Sequence, residues 1–198
     1  MKKIILATNN KGKINEFNSL LRNHFSFYSQ EDMGIAGVPE TGLSFVENAL
    51  IKARNASLKS SLPAIADDSG LVVDALNGAP GVYSARYAGE NASDNDNLEK
   101  LLYDLKDIDN RNAKFHCALV FVRHSNDPIP LIAQASWEGK ILKKPKGENG
   151  FGYDPIFYIA KLKLTAAQLP QNEKNKISHR GKALQKLIAI IESEFNKS

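Results

Sequence analysis

The stretch AIADDSGLVV, residues 64–73, places two adjacent carboxylates between two apolar runs. Small and β-branched residues in such a run predict a buried strand. Charged side chains inside a buried strand cost free energy unless cations or hydrogen-bond donors offset them. Neighbouring side chains of a strand point to opposite faces, so Asp67 and Asp68 can act at the same site only if the strand bends. We expect Ser69-Gly70 to provide that bend. The alternative is an Asx turn that simply ends the strand.

The segments on either side of this strand predict helices that alternate with strands. The run KKIILAT, residues 2–8, predicts a first strand, and apolar residues recur at helical spacing after residue 13. Two further helices are indicated by the capping-box pattern S-x-x-E or S-x-x-D, which starts at Ser44 and at Ser93.

The second half of the chain predicts a hairpin followed by a loop and a helix. Residues 114–124 and 130–142 are rich in apolar and β-forming residues and predict two long strands, joined by the polar turn SNDP. Helices interleaved with strands, together with a hairpin, predict an α/β fold with a mixed sheet. We see no linker long enough to divide the chain, so residues 1–198 are expected to form a single domain.

Composition narrows the classes of function. The net charge of 26 − 22 = +4 is too small to indicate a nucleic-acid binder but suits a small anionic substrate. Cys117 is the only cysteine, which excludes an internal disulfide and a cysteine metal cluster. The apolar run near the start is shorter than a signal sequence requires, and no later run approaches a membrane span. We therefore expect a cytoplasmic protein without a membrane or nucleic-acid partner.

The loop TNNKGK, Thr8–Lys13, is a candidate phosphate site. A loop between a strand and a helix places backbone N–H groups at the positive end of the helix dipole, and Lys11 and Lys13 add charge. The P-loop and G-x-G-x-x-G patterns are both missing. The alternative is a solvated turn with two surface lysines.

The acidic pair is a candidate metal site. Mg²⁺ prefers carboxylate oxygens together with substrate phosphates, and Asp67, Asp68 and Glu40 of the segment PETG could supply the carboxylates.

Two further stretches could bind a nucleobase. Glycines flank Phe151 in GFGYDPIF, residues 150–157, and an exposed ring there can stack on a base. His179 and Arg180 begin the last predicted helix and are donors suited to a carbonyl oxygen or a phosphate. The alternatives are an aromatic loop that covers the end of the sheet and a helix terminus with no role.

These motifs, in this order, resemble the inosine triphosphate pyrophosphatase family, whose members remove deaminated purine nucleotides. The resemblance runs nearly end to end, through LATNNKGKINEF, ETGLSFVENALIKAR, AIADDSGLVVDALNGAPGVYSARYAG, FHCALV, GFGYDPIF and SHRGKAL. It implies an α/β fold with a curved mixed β-sheet flanked by helices, two lobes around a substrate cleft, and a homodimer.

The resemblance also implies a role for individual residues. Asp68 would be the general base and bind Mg²⁺ with Glu40, while Asp67 supports it. The lysines Lys13 and Lys52 would act on the phosphates during catalysis. The substrate ligands implied are Thr8, Asn9, Asn10, Lys11, Gly12, Lys13 and Ser69 toward the phosphates, and Phe151, Gly152, Tyr153, Asp154, Lys174, His179 and Arg180 toward the sugar and base.

The reaction implied is Mg²⁺-dependent hydrolysis of ITP, dITP and XTP to the monophosphate and pyrophosphate. Two alternatives stay open at this point: a Maf-type nucleotide pyrophosphatase that acts on other modified bases, and a non-catalytic nucleotide sensor. The basic stretch KILKKPKG, residues 140–147, suggests a third alternative, a weak nucleic-acid-binding module. A solvated edge of the hairpin explains these lysines better.

Overall fold

Seven strands form one mixed sheet in a computed structural model that describes residues 3–21 and 26–195. The strands are β1 (Lys3–Leu6), β2 (Ser26–Ser29), β3 (Ala64–Val73), β4 (Asn112–Val122), β5 (Leu131–Ile141), β6 (Phe157–Ile159) and β7 (Leu164–Thr165). Their order across the sheet is β2-β1-β3-β4-β5-β6-β7. Strand β1 runs parallel to β2 and β3, whereas β6 runs antiparallel to β5 and β7. The predicted α/β class with a mixed sheet is confirmed.

Five helices accompany the sheet: α1 (Lys11–Leu21), α2 (Phe45–Ser60), α3 (Asp94–Asp104), α4 (Gln171–Ile177) and α5 (His179–Phe195). Both predicted capping boxes are confirmed, because Ser44 and Glu47 bond reciprocally at the start of α2, and Ser93 and Asp96 do so at the start of α3. No helix within residues 3–21 and 26–195 combines the length and apolar character that crossing a bilayer requires.

The expected bend in β3 is wrong. The strand continues through Ser69-Gly70 as one element and ends only where a 3-10 turn, Asp74–Leu76, begins. Serine and glycine both fit extended backbone, so the Ser-Gly pair does not end this strand, which lies between β1 and β4 in the sheet.

The chain folds as two compact units, each assembled from separated segments. The first unit contains the chain up to Asp68, Cys117–Ala135 and the part from Arg180 onward. It has one apolar cluster that includes Ile65 and Leu184 and a second that includes Ala66 and Ala53. Successive residues of β3 therefore belong to different clusters, because side chains along a strand point alternately to its two faces.

The second unit contains Ser69–His116 and Ser136–His179. Its core joins the last part of β3 to α3 and to the aromatic side chains of β5 and β6, among them Trp137 and Phe157, whose ring centroids are 5.3 Å apart. The loop that follows β5 is thus attached to a well-packed body.

Removing the α2 cap should weaken the fold. We expect Ser44→Ala to lower the free energy of unfolding by about 1 kcal/mol, because the Glu47 N–H loses its acceptor. Urea denaturation measures the change. Ser125→Ala, in the turn between β4 and β5, is the control, and an equal loss in both variants would contradict this account of the cap.

Candidate active site

Parallel pairing brings two polar segments to the same edge of the sheet. Leu6 of β1 lies opposite Ile65 of β3, and the Ala7 N–H donates to the Ile65 carbonyl at 2.8 Å. The next residues along both strands are the loop that begins at Thr8 and the pair Asp67-Asp68. The carboxyl ends of parallel strands are where α/β sheets bind ligands.

The loop before α1 has the structure of a helix N-terminus. The Asn10 side-chain oxygen accepts the Lys13 N–H at 3.0 Å, so Asn10 caps the helix, and the Asn10 N–H donates to the Thr8 hydroxyl at 3.2 Å. The remaining N–H groups of a first helical turn suit a phosphate. The predicted position of this loop is confirmed, while phosphate binding stays a prediction.

The other predicted phosphate ligands of this loop are Asn9, Lys11 and Gly12. Asn9 is exposed, and its side-chain oxygen accepts a hydrogen bond from Gln30 at 2.8 Å. Gly12 is half-buried in the first turn of α1. The side chain of Lys11, which we predicted to be a phosphate ligand, lies outside the described part of the structure.

Asp67 and Asp68 extend from opposite faces of β3, each into its own set of cations. The Asp67 carboxylate contacts Lys13 Nζ at 2.8 Å and Arg180 Nε at 3.1 Å. The Asp68 carboxylate contacts Lys52 Nζ at 3.2 Å and Asn48 Nδ2 at 3.2 Å. The two carboxylates therefore have different partners and can have different tasks.

The Asp67 side is a buried chain of alternating charges. Arg180 donates through Nε to Asp67 and through Nη1 to Glu16, while Lys13 contacts the other oxygen of Asp67. Burial opposes ionisation of Asp67, but the charges of Lys13 and Arg180 outweigh it and hold the pKa of this carboxyl well below its usual range. Asp67 is a fixed anion that orients Lys13.

Arg180, which the resemblance assigned to the base edge, has these two carboxylates as partners. Its side chain is only 3% exposed, and although burial disfavours its charge, Asp67 and Glu16 raise the pKa of the guanidinium. Sequence reasoning missed Glu16. Its position three residues after Lys13, on the same face of a helix, is the signal that could have suggested it.

The Asp68 side is where two carboxylates converge. Lys52 Nζ lies 2.7 Å from Glu40 Oε1 and 3.2 Å from Asp68 Oδ1. Burial raises the pKa of Asp68 above its ordinary value, and the nearby Glu40 adds to that rise while Lys52 opposes it. Lys52 keeps its charge, because its carboxylate neighbours more than offset burial and raise its pKa.

The same carboxylates suit a divalent cation. Oxygens from Glu40 and Asp68 already face one positive centre, the Lys52 ammonium, and carboxylate oxygens are the ligands that Mg²⁺ prefers. No group of three or more acidic, histidine or cysteine ligands occurs among residues 3–21 and 26–195. Two carboxylates with water and substrate oxygens are the donor set that Mg²⁺ commonly uses.

In the second unit, the loop after β5 presents an aromatic ring. Phe151 is 37% exposed, and the buried Lys174 ammonium lies 5.0 Å from the centre of its ring. Asp154 accepts both the Phe151 N–H, at 2.9 Å, and a hydrogen bond from Lys174. Asp154 thus fixes the ring and the cation relative to each other.

The neighbours of Phe151 hold the loop rather than face solvent. Gly152 has a φ of +60°, which favours glycine, and its N–H donates to Asp94 at 2.8 Å. Tyr153 is buried, and its hydroxyl donates to the Ser84 carbonyl at 2.9 Å. Of the predicted base and sugar ligands in this loop, Phe151 has the exposed side chain.

The remaining predicted ligands are His179 and Ser69. His179 begins α5 as predicted and is buried, with its ring stacked on Phe115 at a centroid distance of 4.9 Å. Ser69 follows Asp68 in β3 and is half-buried.

The carboxylates, the lysines and the helix N-terminus of the first unit are chemically suited to a polyanionic ligand with a divalent cation. Comparison with known proteins supplies the family. The model of the Ham1 family matches residues 4–190, and this chain belongs to that family.

Relatives and solved structures are similar to this chain over nearly its whole length. A protein of Photobacterium profundum named dITP/XTP pyrophosphatase is 55% identical, over 96% of this chain and 98% of the relative. A protein of Escherichia coli with the same name is 53% identical, over 96% of this chain and 98% of the relative. The structure of a HAM1 protein from Coxiella burnetii is 48% identical and covers 98% of this chain and 100% of its own, with a TM-score of 0.92.

The pKa of Asp67 leads to a pH-dependent expectation. A carboxyl whose pKa is lowered by folding stabilises the protein above its unfolded pKa, about 3.9, and loses that contribution as pH falls toward the folded value. We expect Asp67→Asn to lower the free energy of unfolding by about 3 kcal/mol at neutral pH, with a difference from wild type that shrinks below about pH 4.

Urea denaturation at a series of pH values checks this expectation. Asp107→Asn is the control, because the Asp107 side chain is 86% exposed. A difference between wild type and Asp67→Asn that stayed constant into the acidic range would contradict an ionised Asp67 in the folded state.

Proposed function

We propose that this chain hydrolyses the deaminated purine nucleoside triphosphates ITP, dITP and XTP to the monophosphate and pyrophosphate. The observation that carries the proposal is the convergence of Glu40 and Asp68 on one cationic centre, beside a helix N-terminus and Lys13. The name dITP/XTP pyrophosphatase of relatives more than 50% identical over nearly their full length supports the same reaction.

Asp68 is the general base of the proposed reaction. Its raised pKa suits a carboxylate that must take a proton from water. The water oxygen attacks the α-phosphorus, its proton passes to Asp68, and the bond from the α-phosphorus to the bridging oxygen breaks to release pyrophosphate. Lys13 and Lys52 stabilise the charge that develops on the leaving group. Hydrolysis of this kind depends on position and charge and needs no covalent nucleophile.

Mg²⁺ is the proposed cofactor, held by Glu40 and Asp68. When bound, it would neutralise phosphate charge and polarise the phosphorus–oxygen bonds. Lys52, which contacts Glu40, is proposed to bind phosphate oxygens, and Asp67 keeps Lys13 in place for the same task.

The base is proposed to bind at the loop of the second unit. Phe151 stacks on the purine, and Lys174 and His179 donate to the 6-oxygen that hypoxanthine and xanthine share. Adenine carries an amino group at that position, which meets these donors with another donor and leaves buried groups without partners. Arg180 contacts Asp67, and its contact with the base edge stays a prediction from the resemblance. We also propose, from the resemblance, a homodimer that works in the cytoplasm.

Product analysis tests the reaction directly. We expect phosphorus NMR to show monophosphate and pyrophosphate from ITP, dITP and XTP with Mg²⁺, little product from ATP, and none with a chelator. Release of orthophosphate, or equal hydrolysis of ATP, would contradict the proposal.

Asp68→Asn should remove turnover and keep the fold. We expect a loss of about 10²- to 10⁴-fold in kcat, the range for removal of a general base, with ITP binding retained. Asp74→Asn is the matched control, because Asp74 directly follows β3 and is exposed. Near-normal turnover by Asp68→Asn at saturating Mg²⁺ would contradict the assignment of the base.

Phe151→Ala should weaken nucleotide binding with little effect on kcat. Stacking on a base contributes roughly 1–3 kcal/mol, so we expect KM for ITP to rise about 10- to 100-fold. Steady-state kinetics measure the change, with Phe151→Trp expected to retain binding. Leu162→Ala, another exposed apolar residue of the second unit, is the control, and equal KM values for Leu162→Ala and Phe151→Ala would contradict stacking.

A further inference from the structure

The amide of Asn48 lies between the carboxylate of Asp68 and the backbone of the loop that carries Glu40. Asn48 is fully buried on α2, and its Nδ2 lies 3.2 Å from Asp68 Oδ2. On its other side, Oδ1 accepts the Gly42 N–H at 2.7 Å.

The Gly42 contact fixes which way the amide points. A backbone N–H can only donate, so the atom of Asn48 that faces Gly42 is the carbonyl oxygen, and the NH₂ group must face Asp68. Asn48 therefore accepts a hydrogen bond from Gly42 and donates one to Asp68. Because an amide does not titrate, this donor is present at every pH at which the protein is folded.

This donor serves a carboxylate oxygen that Lys52 does not reach. Lys52 contacts Asp68 Oδ1, whereas Asn48 contacts Oδ2. Asp68 is 5% exposed, so each of its oxygens depends on protein donors. When Lys52 engages phosphate, the bond from Asn48 still holds the carboxylate in one orientation.

The approach of Gly42 leaves no room for a side chain at that position. A Cβ on Gly42 would lie 2.8 Å from Asn48 Oδ1 and 2.5 Å from Glu47 Cβ. The loop between Glu40 and α2 is thus pressed against the same amide that holds Asp68, which ties the positions of the two carboxylates through one side chain.

We propose that Asn48 is a positioning residue that orients Asp68, the general base, and couples it to the loop bearing Glu40. This inference rests on the proposed function, since it concerns the efficiency of the same site. Groups that orient the residues of a metal or catalytic site typically affect activity by about 10- to 100-fold.

The experiment compares two substitutions of Asn48 that separate its two hydrogen bonds. Asn48→Asp keeps an oxygen for the Gly42 N–H and replaces the amide donor to Asp68 by a second carboxyl group, whereas Asn48→Ala removes both hydrogen bonds without adding charge. We expect kcat for ITP to fall about 10- to 100-fold in both variants, with KM changed less than about threefold. Kinetics are normalised to the folded fraction, which is measured by circular dichroism and thermal unfolding.

Asn55→Ala is the matched control. Asn55 lies two turns further along α2, and its amide similarly ties the helix to a loop by donating to the Ala36 carbonyl at 3.2 Å. It does not contact Asp68 in the described structure, so kcat should stay at the wild-type value.

The outcomes separate the proposal from the function on which it rests. Wild-type kcat in Asn48→Asp together with a loss in Asn48→Ala would mean that Asn48 only tethers Gly42, which overturns its action on Asp68. Unchanged kcat in both variants overturns the proposal entirely. If wild type and Asn55→Ala fail to hydrolyse ITP at all, the proposed function fails first. Should Asn48→Ala not fold, Asn48→Leu, which also removes both hydrogen bonds and adds no charge, takes its place.

Discussion

A strand that is covered on both faces cannot give two successive charged residues the same surroundings, and the site of the first unit is organised around that constraint. Asp67 and Asp68 must each find cations on their own side of β3. On one side, α1 and α5 supply Lys13 and Arg180. On the other side, α2 supplies Lys52. Three helices are therefore held at the sheet by charges that a single dipeptide requires.

The two faces differ in what their charges can do. Asp67 is surrounded by cations that keep it ionised, so it is a permanent anion suited to holding other groups in place. Asp68 is buried with another carboxylate nearby and has a raised pKa, so it is suited to accept a proton. Neighbouring residues of the same type therefore have pKa values shifted in opposite directions by their environments.

Local signals in the sequence predicted much of this structure, and contacts between distant segments account for what they missed. The capping boxes at Ser44 and Ser93, the long strands β4 and β5, and the start of α5 at His179 follow from local patterns, and all are confirmed. The short strands β2, β6 and β7 have too few residues to show a period, and their pairing with neighbours defines them.

The site shows the same division. The pattern of the chain located the loop before α1 and the acidic pair, because both depend on residues close in sequence. The pairing of Arg180 with Asp67 joins residues 113 positions apart, and no local pattern indicates it. The bend at Ser69-Gly70 was expected because this dipeptide is common in turns, but both residues also fit extended backbone, and β3 continues through them as one strand.

The alternation of the chain between the two units has an evolutionary consequence. Asp68 ends a segment of one unit and Ser69 begins the other, and the chain changes unit again after His116, Ala135 and His179. Neither unit is encoded by one continuous stretch, so recombination at a single junction cannot exchange one unit while keeping the other. Point substitutions around Phe151 and Lys174, the residues proposed to bind the base, are therefore a more accessible route to a new nucleotide preference than the shuffling of gene fragments.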